Sequence, residues 1–359
     1  MKGRGNPDNQ NPRSIGRGCD VCVRTGGCGS KGLEIGREML YLRQAECTDV
    51  GLTREDILAL TREALLAHGR KEYEMPPKIG VHPHEDVFYH AMPAYVPAKE
   101  AVGMKWIECY PRNPAEFNLP QTTGLMVLND VQTGCPVAVM DSTWVTAMRT
   151  PAVTVLAAAA LHPGAKSFGM FGCGVQGTEH VRFAAMALEG LERIVVYDID
   201  EAATGRLIET VQPEIEVEIV RGESPRQMVE GCEVLSSATV IIKEPLAVVK
   251  DEWVPDGRTL LPCDLNTFWD PETSRRADQY IVDSLEEHQL FADMGYFPGG
   301  LPEVAAETGE VLAGVAPGRR SASDLIVCSN IGMAVCDVVV GKAILERALE
   351  SGLGTILPL

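Results

Sequence analysis

Residues 167–200 read SFGMFGCGVQGTEHVRFAAMALEGLERIVVYDID. Ser167 to Phe171 has the makings of a short buried strand, and it runs straight into Gly172-Cys173-Gly174-Val175-Gln176-Gly177, a complete G-x-G-x-x-G. A helix is expected from Thr178 to Glu189 and a second strand from Arg193 to Tyr197, ending on Asp198, 21 positions beyond Gly177. In such a strand–turn–helix unit Gly172 permits the tight turn, Gly174 lets the backbone approach a pyrophosphate, and Gly177 lets helix and strand pack closely. Val175 and Gln176 sit in the same turn, where the helix start offers unpaired N–H groups and a positive dipole end to phosphate. An acid closing the second strand accepts hydrogen bonds from ribose hydroxyls and repels a 2′-phosphate, so Asp198 points to NAD over NADP. The motif alone is weak; with strand, helix and acid in order, a dinucleotide site is favoured over a glycine-rich turn beside a surface Asp.

The texture downstream continues this pattern. Helix Thr150 to Leu161 precedes the motif, and further strands are expected at Val217 to Val220, Val234 to Ala238, Thr259 to Leu261 and Gln279 to Val282. Strand–helix alternation implies an α/β fold with a doubly wound parallel sheet. The last helix is expected from Gly332 to Glu350. Upstream the texture is different. MLYLRQAE from Met39 reads as a strand entering a turn, and Thr53 with Asp56 forms a capping box opening a helix with Ile57, Leu58, Leu60, Leu65 and Leu66 on its apolar face. Strands follow at Val87 to His90, Val102 to Ile107, Gly124 to Leu128 and Pro136 to Met140, the last two joined by the turn Asn129 to Gly134.

Composition narrows the function classes. Fifty acidic against 32 basic residues give a net charge of −18 over 359 residues, the wrong sign for a phosphate-backbone partner, so no nucleic-acid partner is expected. The most apolar stretch, Pro151 to Leu161, is too short for a membrane span, and the first residues have no apolar core of a secretion signal. Eleven cysteines without framework spacing suit reduced thiols in the cytoplasm. Residues 1–35 read as a flexible arm. Within it Cys19, Cys22 and Cys28 have zinc-like spacing at one end only; without a second pair they are read as thiols, and no metal is expected.

Several separated stretches resemble the ornithine cyclodeaminase/mu-crystallin family. They are Ala91-Met92-Pro93-Ala94-Tyr95, Lys105 in GMKWIECYP, the run MDSTWVTAMRTPAV, GCGVQG, Asp264 in LLPCDLN, and VCSNIGMAVCD near the end, together covering about Gly36 to the C-terminus. The resemblance implies a substrate-binding and dimerising α+β domain from residues 36–148 and 331–359, an NAD-binding Rossmann domain from 149–330, and a homodimer. It implies hydride transfer at the α-carbon of a small L-amino acid or its imine.

Lys105 and Arg149 match the family's substrate-contacting cations. An arginine fork suits an amino-acid carboxylate, and Lys105 can neutralise the same group or relay a proton. Asp264 follows a Rossmann strand and matches a base that takes the proton from a substrate ammonium. Thr122 matches a substrate-facing hydroxyl, Arg149 and Thr150 also match cofactor contacts, and Ser329 and Asn330 are expected to approach the nicotinamide. Three departures touch the substrate. Lys78 stands where many members carry an arginine, His90 where ornithine-cyclising members hold an acid, and NTFWDPETS lacks the lysine of the commoner pattern. An amino-acid dehydrogenase or ketimine reductase is therefore favoured over an ornithine cyclodeaminase that releases ammonia. A crystallin-like binding protein without catalysis is the remaining alternative, against which Lys105, Arg149 and Asp264 speak.

Overall fold

The computed structural model describes residues 32–84, 87–265 and 267–359. The expected arm lies almost wholly outside these residues, and Cys19, Cys22 and Cys28 with it. In the first part of the chain, strand β1 (Glu38–Leu42) leads to helix α1 (Gln44–Asp49), where only a turn is expected. Helix α2 (Arg54–Gly69) opens as the capping box requires: the Thr53 hydroxyl accepts from Asp56 N–H and the Asp56 carboxylate from Thr53 N–H. Strands β2 (Ile79–Val81), β3 (Phe88–Val96), β4 (Ala101–Cys109), β5 (Thr122–Asn129) and β6 (Pro136–Asp141) follow, with helix α3 (Asn113–Glu116) between β4 and β5. At the β5–β6 turn the Asp130 carboxylate accepts from Thr133 N–H and hydroxyl, and Gly134 takes φ +73°.

Helix α4 (Thr143–Leu161) starts seven residues earlier than expected. Its first donors are satisfied by the last residue of β6, since Asp141 accepts from Thr143 and Trp144 N–H at 3.0 and 3.2 Å. Pro151, expected to sit near a helix start, is instead inside, and the Thr150 hydroxyl donates to the carbonyl of Thr146. The full helix is long and apolar enough to cross a membrane by composition, contrary to the shorter segment expected; most of it is buried in the protein core.

The second part alternates. Strand β7 (Ser167–Phe171), α5 (Val175–Ala187), β8 (Arg193–Tyr197), α6 (Glu201–Val211), β9 (Glu218–Arg221), α7 (Pro225–Gly231) and β10 (Val234–Ser237) come first. Then follow β11 (Thr259–Pro262), α8 (Pro271–Arg276), β12 (Gln279–Val282), α9 (Leu285–Asp293), β13 (Val304–Glu307), α10 (Thr308–Leu312) and β14 (Ile326–Ser329). Their eight-stranded sheet has the order β13-β12-β14-β11-β10-β7-β8-β9 with every pair parallel. The winding reverses between β7 and β10, the place where open α/β sheets bind ligands at their carboxyl edge.

Helix α11 (Ala334–Ser351) then returns to the first part, and β15 (Thr355–Pro358) pairs antiparallel with β1. The helix begins two residues later than expected because Gly332 has φ +94°. The first sheet has seven strands, β15-β1-β6-β5-β4-β3-β2, and α11 packs across β3, β4 and β5. Cross-strand register gives it two distinct faces. Rows such as Met92–Lys105–Met126–Met140 point inward, and rows such as Ile79–Ala91–Trp106–Leu125 point outward.

Candidate active site

The carboxyl edge of the parallel sheet carries the glycine turn. Gly172 has φ +93°, and a Cβ there would lie 2.6 Å from the Ala238 carbonyl oxygen. A Cβ on Gly177 would fall 1.8 Å from the Gly172 carbonyl oxygen, so only glycine lets α5 close on β7. At Gly174, by contrast, nothing lies within 4 Å, which leaves open space in front of the first turn of α5. That helix begins at Val175, earlier than the Thr178 expected, so Val175, Gln176 and Gly177 form its first turn. Gln176 reaches back to the Thr146 carbonyl at 3.1 Å, leaving its own side-chain oxygen buried and unpartnered. Asp198, at the end of β8, accepts from Cys173 N–H at 2.7 Å and Asp200 N–H at 2.9 Å, tying the acid to the turn.

Other sheet ends converge on the same edge. Asp264 follows β11 and is fully buried; its carboxylate accepts from the Ser237 hydroxyl at 2.8 Å and from Thr239 N–H and hydroxyl at 3.1 and 2.6 Å. Burial pushes this carboxyl above its ordinary range, against the opposing pull of those donors. Ser329 closes β14, its hydroxyl 2.9 Å from His288 Nε2. The other ring nitrogen, Nδ1, faces the Ser284 carbonyl at 2.8 Å and must donate to it, so Nε2 accepts from Ser329. Asn330 is held by its N–H to the Pro262 carbonyl, and its side-chain oxygen accepts from the Thr308 hydroxyl at 3.3 Å.

The inner face of the first sheet meets α4 and α11 in a buried ionic cluster. Lys105, in the middle of β4, is 1% exposed; its Nζ lies 2.8 Å from Asp337 Oδ2 and 3.4 Å from the Thr146 hydroxyl. Arg149, in α4, donates from Nε to Asp337 Oδ1 at 3.0 Å. Burial drives Lys105 down to about 7, with Asp337 opposing and the Arg149 and Lys78 charges adding to the fall. Burial would raise the Asp337 carboxyl, but the two cations outweigh it and hold it low. Lys78, before β2, is also buried: its N–H donates to Glu287 Oε1 at 3.1 Å, its Nζ lies 3.6 Å from Oε2, and the ammonium faces the Gly332 carbonyl at 3.3 Å. His90 lies one row from Lys105 on the inner face, stacked on Phe88 at 4.2 Å. Burial, with Lys78 next, lowers His90 to about 3, so the ring is neutral.

Lys78, His90, Lys105 and Arg149 are thus brought to one region, and the glycine turn, Asp198, Asp264, Ser329 and Asn330 to the sheet edge beside it. Thr146 and Gly332 join the two, the first touching both Lys105 and Gln176, the second giving its N–H to Asp283 at 2.6 Å. Thr122 is not gathered in. It is half-buried, pairs with Cys109 two rows from Lys105, and makes no hydrogen bond to the cluster. Thr150 turns its hydroxyl to its own helix. Asp264 has no hydrogen bond or ion pair with Lys105 or Arg149 among the described residues. Sequence reasoning missed Asp337, Glu287, Asp283 and His288. Asp337 alone carried a signal, as the one charge in the apolar run 331–341.

A doubly wound parallel sheet with this turn and acid defines a dinucleotide-binding α/β protein, here joined to a second, mixed sheet. The chain belongs to the ornithine cyclodeaminase/mu-crystallin family, whose profile matches residues 42–352. It is 32% identical to the nodulation efficiency protein NfeD of Rhizobium meliloti over 88% of this chain and 98% of that protein. Among solved structures, the Δ1-pyrroline-2-carboxylate reductase of Thermococcus litoralis, in complex with NADH and L-proline, is 28% identical with a TM-score of 0.78, covering 88% of this chain and 99% of that one. An archaeal alanine dehydrogenase dimer with bound NAD is equally similar, at 28% identity and a TM-score of 0.78 over 89% and 99%.

Proposed function

We propose that this protein is an NAD(H)-dependent enzyme acting at the α-carbon of a small L-amino acid or its imine, as an amino-acid dehydrogenase or ketimine reductase. The observation that carries the reading is the buried Lys105–Asp337–Arg149 cluster placed beside an open glycine cradle. Two buried cations sharing one carboxylate retain the capacity to hold a second, and the α-carboxylate is the group every amino acid presents. The unfilled space at Gly174 and the unpartnered Gln176 oxygen fit a dinucleotide at the start of α5, with Asp198 at its ribose. When bound, the nicotinamide accepts or returns the hydride of the substrate α-carbon.

The chain's own residues have three tasks in this reading. Arg149 and Lys105 hold the carboxylate and so orient the α-carbon. In the oxidative direction the substrate ammonium must first lose a proton, exposing the nitrogen lone pair that forms the C=N bond. Asp264 takes it: a carboxylate offers about four acceptor directions, and the donors from Ser237 and Thr239 occupy three. The third task is exclusion of water, performed by the buried walls of the cluster. The outward row Ile79, Trp106 and Leu125, exposed by 72, 37 and 47%, supports a homodimer through the first sheet. Free thiols at the buried Cys47, Cys173, Cys232, Cys328 and Cys336 fit a cytoplasmic setting.

A panel of L-alanine, L-proline, L-ornithine and matching oxo acids with ammonia tests the reading, followed by NADH absorbance and by ammonia assay. Stoichiometric NADH change with at least one small amino acid or imine is expected. Ammonia released from ornithine without net NADH would instead identify a cyclodeaminase, and binding without turnover across the panel would identify a non-catalytic relative.

A further inference from the structure

Helix α11 delivers one charged side chain into the buried space between the first sheet and α4. Asp337 is fully buried, and both of its oxygens are engaged by cations from other elements, Lys105 from β4 and Arg149 from α4. The contact with Arg149 uses Nε alone. The two terminal nitrogens make no hydrogen bond among the described residues and lie against Gly332, where an added Cβ would stand 2.5 and 2.6 Å from them. The guanidinium is therefore turned by Asp337 through Nε, and the bare main chain at Gly332 keeps the space directly before its two-pronged edge clear of a side chain. A planar carboxylate is the group that edge matches.

Lys105 needs the same residue for a different reason. The charged and titratable groups that act on it are Asp337 from α11, Arg149 from α4 and Lys78 from the segment before β2, with His90 on β3 and the buried Cys336 thiol on α11 neutral. Asp337 is the one anion among them. Without it two buried cations would face each other, and the lysine would relieve the repulsion by giving up its proton. A neutral amine has no charge with which to hold a carboxylate.

We propose that Asp337 is the positioning residue of the substrate site: it keeps Lys105 charged and turns the Arg149 fork so that both hold a single carboxylate. This rests on the reading of Lys105 and Arg149 as the substrate's anchors. Asp337 itself touches neither substrate nor cofactor in it.

The test uses the full chain with Asp337→Asn, and Asp337→Ser should the amide disturb folding. NADH binding, followed by fluorescence, reports an intact fold and is expected to stay within about twofold of the unmutated protein, a change of under half a kcal/mol. The first readout needs no substrate. In protein labelled with ¹³C-lysine, the Lys105 Cε signal, assigned by its loss in Lys105→Arg, is titrated. Its midpoint is expected to fall by about one pH unit or more, a tenfold loss of proton affinity. Asp337→Glu, which restores the charge, is expected to bring it back toward the unmutated value. The second readout is the split of kinetic constants for the amino acid that the panel identifies. KM is expected to rise about tenfold or more with kcat much less changed, the pattern of lost uniform binding. An unmoved Lys105 midpoint in a variant that binds NADH normally overturns the proposal whatever the panel shows. A shifted midpoint with KM unchanged also overturns it, because the anchors would then not depend on Asp337. A panel without turnover, beside a shifted midpoint, removes the enzyme reading and leaves the control of Lys105 standing.

Discussion

At the scale of single residues, charge placed without water decides most of the chemistry. Asp198 is held by two main-chain N–H groups at the mouth of the glycine turn, so its charge cannot swing away from an incoming phosphate. Tighter binding of NAD(H) than NADP(H) is expected, and Asp198→Ser should narrow the gap; equilibrium binding of all four nucleotides to both proteins checks it. Asp264→Asn should keep nucleotide affinity and lose most turnover, because an amide accepts no proton, whereas Arg149→Ala should weaken substrate binding by roughly 2–5 kcal/mol as its partner charge is left unpaired. Single-turnover rates on saturated protein separate the two. Lys105 adds a pH dependence. Its ammonium exists below about 7 and is lost above it, so substrate affinity should fall as pH rises through that value. Measuring KM from pH 6 to 9 checks the sign, and Lys105→Arg, which stays charged, should flatten the curve.

At the scale of elements, the informative places are the helix starts. The box at Thr53 was legible because both partners are three residues apart in one segment, and Thr53→Ala should cost about 1 kcal/mol in urea denaturation. The start of α4 was not legible. A helix is expected only from Thr150, but it begins at Thr143, where Asp141 of the preceding strand takes up the first donors. The strands β13, β14 and β15 escaped for a different reason: each is only four residues long, too short a window to show a period. Gly177 belongs to this scale as well, since a side chain there pushes α5 off β7. Gly177→Ala is expected to lower both nucleotide affinity and thermal stability, checked by fluorescence titration and calorimetry.

At the scale of the whole molecule, two sheets with different tasks share one chain, α4 leads from the first to the second, and α11 returns. The outward apolar row of the first sheet should be covered by a second copy. Trp106→Glu is therefore expected to convert a dimer to a monomer in light scattering while NADH binding persists. The glycine turn, the acid after the second strand and the parallel alternation were determined by sequence alone, because their partners lie within a few tens of residues and leave a local pattern. The positions of Lys105, Arg149 and Asp264 were visible only through family resemblance, and their surroundings not at all. Arg149 and Asp337 are 188 residues apart, and Lys78 and Glu287 are 209. Nothing in a local window records which distant carboxylate will neutralise a buried cation. Only packing α11 onto the inner face of the first sheet brings Asp337 to Lys105, because burial there makes an unpaired charge untenable and pairing with that carboxylate the stable outcome.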